Sequence, residues 1–217
     1  MRDRREAGQL LAESLIKRDP HLVDNPAVAV FGLARGGVPV AWEVAAELHA
    51  PLDAFIIRKL GVPSSPELAL GAVAFGGSPA INRDVVTQFR VTEQQLQQVV
   101  DAETRELTRR EQTYRAGRPP LEMAGRIAIL VDDGLATGSS MLAAIAAART
   151  QKPDRLIVAV GVAPQSAISE IAPLVDDLVC VSTPTDFRAV GQWYERFDQV
   201  SDATVCKLLT RPTTQNQ

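Results

Sequence analysis

The sequence predicts an α/β protein with a mostly parallel central sheet flanked by helices, and three observations carry that prediction. Short continuous runs of branched apolar residues, at 27–33, 127–131 and 156–162, read as strands covered on both faces. These runs alternate along the chain with stretches of helical character, the pattern of parallel pairing with right-handed crossovers. Two of the runs end in small-residue loops that pass directly into a helix, which puts ligand chemistry at the carboxyl ends of strands.

The elements follow in order. Residues 4–17 carry Ala7, Leu10, Leu11 and Leu15 on one side and charges opposite, an amphipathic helix that ends near Pro20. Residues 27–33 form the first core strand, 38–48 a helix and 52–57 a second strand. Residues 68–75 alternate loosely and are expected to form a hairpin with 80–86. Thr92 opens a long polar helix to about residue 115, and Thr92-Glu-Gln-Gln95 has the order of a capping box. A strand at 127–131 and a helix from Met141 to Arg149 come next. A strand at 156–162, a short helix at 165–171 and a strand at 177–181 complete the core, and residues 210–217 form a polar tail.

A chain of 217 residues with 46% hydrophobic content supports one sizeable core and a small appended subdomain. The net charge is −3 with acids and bases interspersed, which argues against nucleic acid as a partner. Cys180 and Cys206 lack metal-ligand spacing and are expected to be reduced thiols. With His21 and His49 as the only histidines, a His-ligated metal or His-based catalysis is not expected. No run reaches about 18 apolar residues, so the expectation is a soluble, cytoplasmic protein without a membrane partner.

The most informative segment runs from the strand at 127–131 into Asp132 and Asp133 and then into a loop of small and hydroxylated residues, Gly134 to Ser140. Backbone amides in such a loop can approach a phosphate closely at the start of the next helix, and Thr137, Ser139 and Ser140 add hydroxyl donors. Two acids beside an anion site suit one ligand that offers hydroxyls and phosphate together, as a ribose 5-phosphate does. After the first strand, Leu33-Ala-Arg-Gly-Gly-Val-Pro39 makes a second anion site, where Gly36 and Gly37 let amides face a diphosphate beside Arg35. Arg58 and Lys59, adjacent cations at the end of the second predicted strand, point to the same target.

Val131-Asp-Asp-Gly-Leu-Ala-Thr-Gly-Ser-Ser-Met141 resembles the phosphoribosyl-pyrophosphate (PRPP) motif of type I phosphoribosyltransferases, in the adenine phosphoribosyltransferase style with Ala before Thr-Gly. The resemblance implies that fold, as one domain over residues 1–217 with a core near 25–165. It adds a hood near 177–205 joined by the N-terminal helix at 4–18. It implies transfer of ribose 5-phosphate from PRPP to a nitrogenous acceptor, with Mg²⁺ carried by the substrate. Asp132 and Asp133 would bind the ribose hydroxyls, and Leu135, Ala136, Thr137, Gly138, Ser139 and Ser140 the 5-phosphate. Ala34, Arg35, Gly36 and Gly37 would form the pyrophosphate loop, often with a non-proline cis peptide in this family, and Arg58 and Lys59 would join it.

Residues 61–77 resemble the family's mobile closing loop. Many members carry an acid where this chain has Ala136, so a proton acceptor is sought elsewhere, and Glu67 matches the loop acid of adenine-type enzymes in kind. Residues 181–197 resemble the hood of hypoxanthine-type enzymes, with Phe187 as the candidate base-stacking residue and Trp193 and Tyr194 as neighbours. Trp193 stands where that family has Asp, and the spacing from Phe187 to Glu195 is shorter. Family members often dimerise, which raises a homodimer. The alternative is a non-catalytic PRPP or nucleotide sensor of the same fold, which the alanine at position 136 also suits.

Overall fold

A computed structural model describes residues 1–74, 78–115 and 117–210, with the side chain of Glu67 also outside the description. In chain order the elements are α1 (Arg4–Arg18), β1 (Val28–Leu33), α2 (Gly37–Leu48), β2 (Leu52–Phe55), β3 (Ile57–Val62), β4 (Ser65–Ala74) and β5 (Ala80–Ile81). There follow α3 (Arg83–Gln88), α4 (Glu93–Arg115), β6 (Ile127–Asp132), α5 (Ser139–Thr150), β7 (Arg155–Val162), α6 (Gln165–Ile171), β8 (Asp177–Ser182) and α7 (Asp202–Thr210).

Five strands pair in parallel in the order β2-β1-β6-β7-β8. Side chains alternate across a strand, so β1 sends Ala29, Phe31 and Leu33 to one face and Val28 and Val30 to the other. The first face is covered by Met141, Ala144 and Ile145 of α5. Leu11 and Leu15 of α1 and Val40, Val44 and Leu48 of α2 cover the second. Burial on both faces is why these strands appear in the sequence as unbroken apolar runs.

The chain winds outward from β1 to β2 in one direction and from β6 through β7 to β8 in the other. The loops leaving β1 and β6 therefore diverge at the carboxyl edge of the sheet, the switch point at which open α/β sheets bind ligands.

Two expectations are corrected. The predicted second strand ends at Phe55, and Ile57 opens β3 of a separate antiparallel sheet in the order β3-β4-β5. Arg58 and Lys59 thus ride on that second sheet and do not end a central strand. The predicted 80–86 strand is only Ala80–Ile81, because the Asn82 side chain accepts from the amides of Asp84 and Val85 and starts α3. Within the segment compared with a closing loop, residues 65–74 form β4, paired with β3. Phe75, Gly76 and Gly77 lie outside the described residues, as does the tail beyond Thr210.

Under the second sheet, Leu60, Val62, Leu70 and Val73 pack with Leu96, Leu107 and Tyr114 of α4 and with Val205 and Leu209 of α7. The long helix begins as its sequence foretells. Thr92 Oγ1 accepts from the Gln95 amide at 3.2 Å while Gln95 Oε1 accepts from the Thr92 amide at 3.0 Å.

Candidate active site

The loops after β1 and β6 meet beside a cavity of about 780 Å³. From β1 come Leu33, Ala34, Arg35 and Gly36; from β6 and α5 come Asp132, Asp133, Ser139 and Ser140. Lys59 and Ala69 contribute from the second sheet, and Arg4 and residues 197–200 close the remaining side.

The Ala34–Arg35 peptide is cis, where the resemblance placed one. Gly36 leads into α2, whose first-turn amides lack intrahelical acceptors. The two loops are close enough that a Cβ on Gly36 would overlap Asp133 Oδ2 and stand 2.9 Å from its Cγ. Only glycine fits that approach.

Asp132 and Asp133 differ in surroundings. Burial pushes the Asp132 carboxyl well above its ordinary range, and the neighbouring Asp133 charge adds to the shift. The Asp133 amide donates to Asp132 Oδ1 at 2.9 Å, which opposes it. Asp133 is 8% exposed and its Oδ2 pairs with Arg4 Nε at 2.8 Å. Tyr194 Oη donates to the Asp133 backbone carbonyl at 2.5 Å. Burial and the Asp133 charge push the Tyr194 phenol far up, so it remains a donor.

The loop from β6 to α5 is not uniform. Leu135 is buried at 3% exposure and its amide donates to the Val162 carbonyl at 2.8 Å, so that amide is unavailable to a phosphate. This corrects the expectation for Leu135, which anchors the loop to β7. Ala136 and Thr137 are exposed, Gly138 precedes α5, and Thr137 Oγ1 lies 3.0 Å from Ser139 Oγ. Ser139 and Ser140 line the cavity, and the first amides of α5 beside them have no intrahelical acceptors.

Strand alternation separates the two cations expected to act together. Lys59 lines the cavity, whereas Arg58 Nε pairs with Glu103 Oε2 of α4 at 2.6 Å. Gly37 begins α2, and Arg35 is 3.6 Å from Asp202 of α7, which also accepts from Tyr114 Oη at 2.6 Å. Burial first and the Asp202 contact second push the Tyr114 phenol up to about 12.

Glu67 falls on β4, with its side chain outside the description. Phe187 packs against the core that α1 and α2 cover and is not among the cavity residues; the aromatic there is Phe197, whose ring centroid lies 3.9 Å from the Arg4 guanidinium carbon. Arg4, Phe197 and Asp202 went unnoticed in the sequence, since each reaches the site across more than sixty positions or lies in an unpredicted element. Among the described residues no helix is long and apolar enough to cross a membrane.

The chain is 41% identical to TT1426 from Thermus thermophilus, with a TM-score of 0.84, over 96% of this chain and 98% of that one. It shares its fold with a hypothetical protein of Neisseria gonorrhoeae crystallised with bound ppGpp, at 13% identity and a TM-score of 0.51, over 95% and 91% of the two chains. It is 43% identical to the curated Mycobacterium tuberculosis H37Rv protein named "Putative phosphoribosyl transferase Rv0571c" over 96% of its own length. The chain spans 46% of that relative, about half its length. The family model "Phosphoribosyl transferase domain" matches residues 4–195, and the chain belongs to the phosphoribosyl transferase family.

Proposed function

We propose that this chain binds PRPP and transfers its ribose 5-phosphate to a nitrogenous acceptor, releasing pyrophosphate. The observation that carries the reading is the meeting, in one cavity, of the acid pair and α5 start after β6 with the Arg35 loop after β1. A sugar carrying a phosphate at one end and a diphosphate at the other spans those two anion sites with its hydroxyls over the acids.

Asp132 and Asp133 would orient the ribose hydroxyls. The Thr137 to Ser140 stretch and the first turn of α5 would hold the 5-phosphate. Arg35, Lys59 and the Gly36 and Gly37 amides would take up the charge that grows on pyrophosphate as its bond to the anomeric carbon breaks. The acceptor nitrogen forms the new bond to that carbon and loses a proton, for which Glu67 is the proposed base.

Among the described residues no group of three or more His, Cys, Asp or Glu side chains could hold a metal ion. Asp132 and Asp133 would be the residues that hold Mg²⁺ carried on substrate oxygens, and the ion would neutralise diphosphate charge. Residues 197–200 and the β3–β4 hairpin flank the cavity and would limit water capture of the cationic ribosyl centre. We place the reaction in the cytoplasm, in keeping with the two free cysteines.

Ala136 supports a second reading, a PRPP sensor without turnover, because this loop position offers no carboxylate. A pyrophosphate-release assay with PRPP and Mg²⁺ across nucleobases and other nitrogenous acceptors separates the two. Release dependent on one acceptor establishes transfer; saturable PRPP binding without release for any acceptor supports the sensor.

A further inference from the structure

Arg4 belongs to no motif, yet it is the most tightly engaged side chain around the acid pair. Its Nε donates to Asp133 Oδ2 at 2.8 Å, its Nη1 donates to the Asp198 carbonyl at 2.7 Å, and its guanidinium lies over the Phe197 ring. The two charged side chains are 13% and 12% exposed, so this is a largely buried ion pair. The segment before Arg4 is also stitched to the hood. The Glu195 amide donates to the Met1 carbonyl at 3.0 Å and the Arg196 amide to the Arg2 carbonyl at 2.9 Å. Tyr194, in the same hood segment, bonds the Asp133 backbone.

Arg4 thus holds the Asp133 carboxylate while the hood holds the same residue by its backbone carbonyl. A planar fork is needed for this arrangement, since a single group must serve a carboxylate and a carbonyl in two directions while stacking on a ring. Arg4 bonds Asp133 through Oδ2, and Asp133 lines the cavity beside Asp132.

We propose that Arg4 is a positioning residue for sugar recognition: by fixing Asp133 Oδ2 it aims the remaining oxygen at a ribose hydroxyl. The same contacts make the sugar site complete only when α1 and the hood are docked together. This rests on the proposed function, in which Asp133 meets the ribose hydroxyls. Arg4 acts through Asp133 and does not itself belong to the diphosphate loop, although Gly36 of that loop lies against Asp133 Oδ2. Its loss should affect ligands that carry a sugar more than those that do not.

The test is calorimetric titration of the wild type, Arg4→Met, Arg4→Lys, Asp133→Asn and the Arg4→Met/Asp133→Asn double variant with ribose 5-phosphate and, separately, with pyrophosphate. Arg4→Met is expected to weaken ribose 5-phosphate about tenfold or more, the loss typical of a charged hydrogen bond, and to leave pyrophosphate within about twofold. Arg4→Lys, which keeps charge without the fork and is the milder perturbation of folding, should fall between the two. In the Asp133→Asn background Arg4→Met should add nothing. Unchanged ribose 5-phosphate affinity in Arg4→Met, or a parallel loss of both ligands, would overturn the role of Arg4. Wild-type protein that binds neither ribose 5-phosphate nor PRPP would instead overturn the phosphoribosyl reading itself.

Discussion

Gly161→Ala is expected to loosen the acid pair from beneath. Gly161 lies in β7, and a Cβ there would overlap Tyr194 Oη and stand 2.6 Å from the Asp133 carbonyl oxygen. Those two atoms are the partners of the hydrogen bond that ties the hood to the second acid. With β6 and β8 paired on its two sides, β7 has little freedom to move away. Overpacking of this kind costs about 1–3 kcal/mol. Separating the bonded pair leaves a buried carbonyl unsatisfied, a further cost of about 1–3 kcal/mol. The sum, about 2–6 kcal/mol, corresponds to a fall in Tm of about 4–24 °C for a chain of this size. Tyr194→Phe alone removes only the bond and should cost about 1–2 kcal/mol. Because Phe also removes the worst overlap, the double variant should be less destabilised than the sum of the two by about 1 kcal/mol or more. Urea unfolding of the four proteins measures each value. Gly161→Ala within about 0.5 kcal/mol of the wild type, or strict additivity in the double variant, would refute the reasoning.

Other outcomes follow from the same geometry. Asp132→Asn should become relatively more stable than the wild type as pH rises. The folded-state pKa of Asp132 lies well above 3.8, so the wild type has this contribution in full below about pH 4 and loses it as pH climbs to the raised folded value. The asparagine never ionises, so a stability difference that stays flat in urea unfolding from pH 4 to 8 would contradict the raised pKa of Asp132. Lys59→Ala should weaken pyrophosphate or PRPP binding about tenfold, whereas Arg58→Ala, whose side chain faces Glu103, should change it less than about twofold. Equal losses by calorimetry would show that both cations reach the ligand. Ser201→Ala should cost about 1 kcal/mol, since Ser201 Oγ accepts from the Thr204 amide at the start of α7, and thermal unfolding would show it.

The central sheet was legible because its strands are buried on both faces and therefore announce themselves as unbroken branched runs. The place of the loop was legible for a related reason. Asp132 and Asp133 sit where a strand ends, and the glycines and hydroxyls that follow leave amides open near a helix start. The boundary at Ile56 was not legible, since residues 52–57 are uniformly apolar apart from Asp53 and nothing local distinguishes two short strands in different sheets from one longer strand. That ambiguity also misplaced Arg58, whose direction depends on which sheet owns it.

Contacts over long sequence separations were the larger gap. Arg4 and Asp133 are 129 positions apart, and a charged residue in the first turn of an amphipathic helix looks like any solvated charge. Phe187 was named from the resemblance of residues 181–197 to a hood, and that segment follows the extended and 3-10 backbone around residues 190–193, where strand periodicity gives no guidance. A signal for α7 was present, with Ser201 before Asp202 and an apolar stretch after it, and its first turn supplies the Asp202 that holds Arg35. Leu135 shows the opposite lesson. Within a loop of small residues the single large apolar side chain was an anchor, and its amide went to β7.

The most direct test of the account is calorimetric titration of the wild-type protein with PRPP in the presence of Mg²⁺. Saturable binding of one PRPP per chain is expected, competed by pyrophosphate and by ribose 5-phosphate separately, because the two proposed anion sites share one cavity. Absence of saturable heat, or binding that pyrophosphate displaces and ribose 5-phosphate does not, would contradict the assignment of the Asp132 to Ser140 segment to the sugar phosphate.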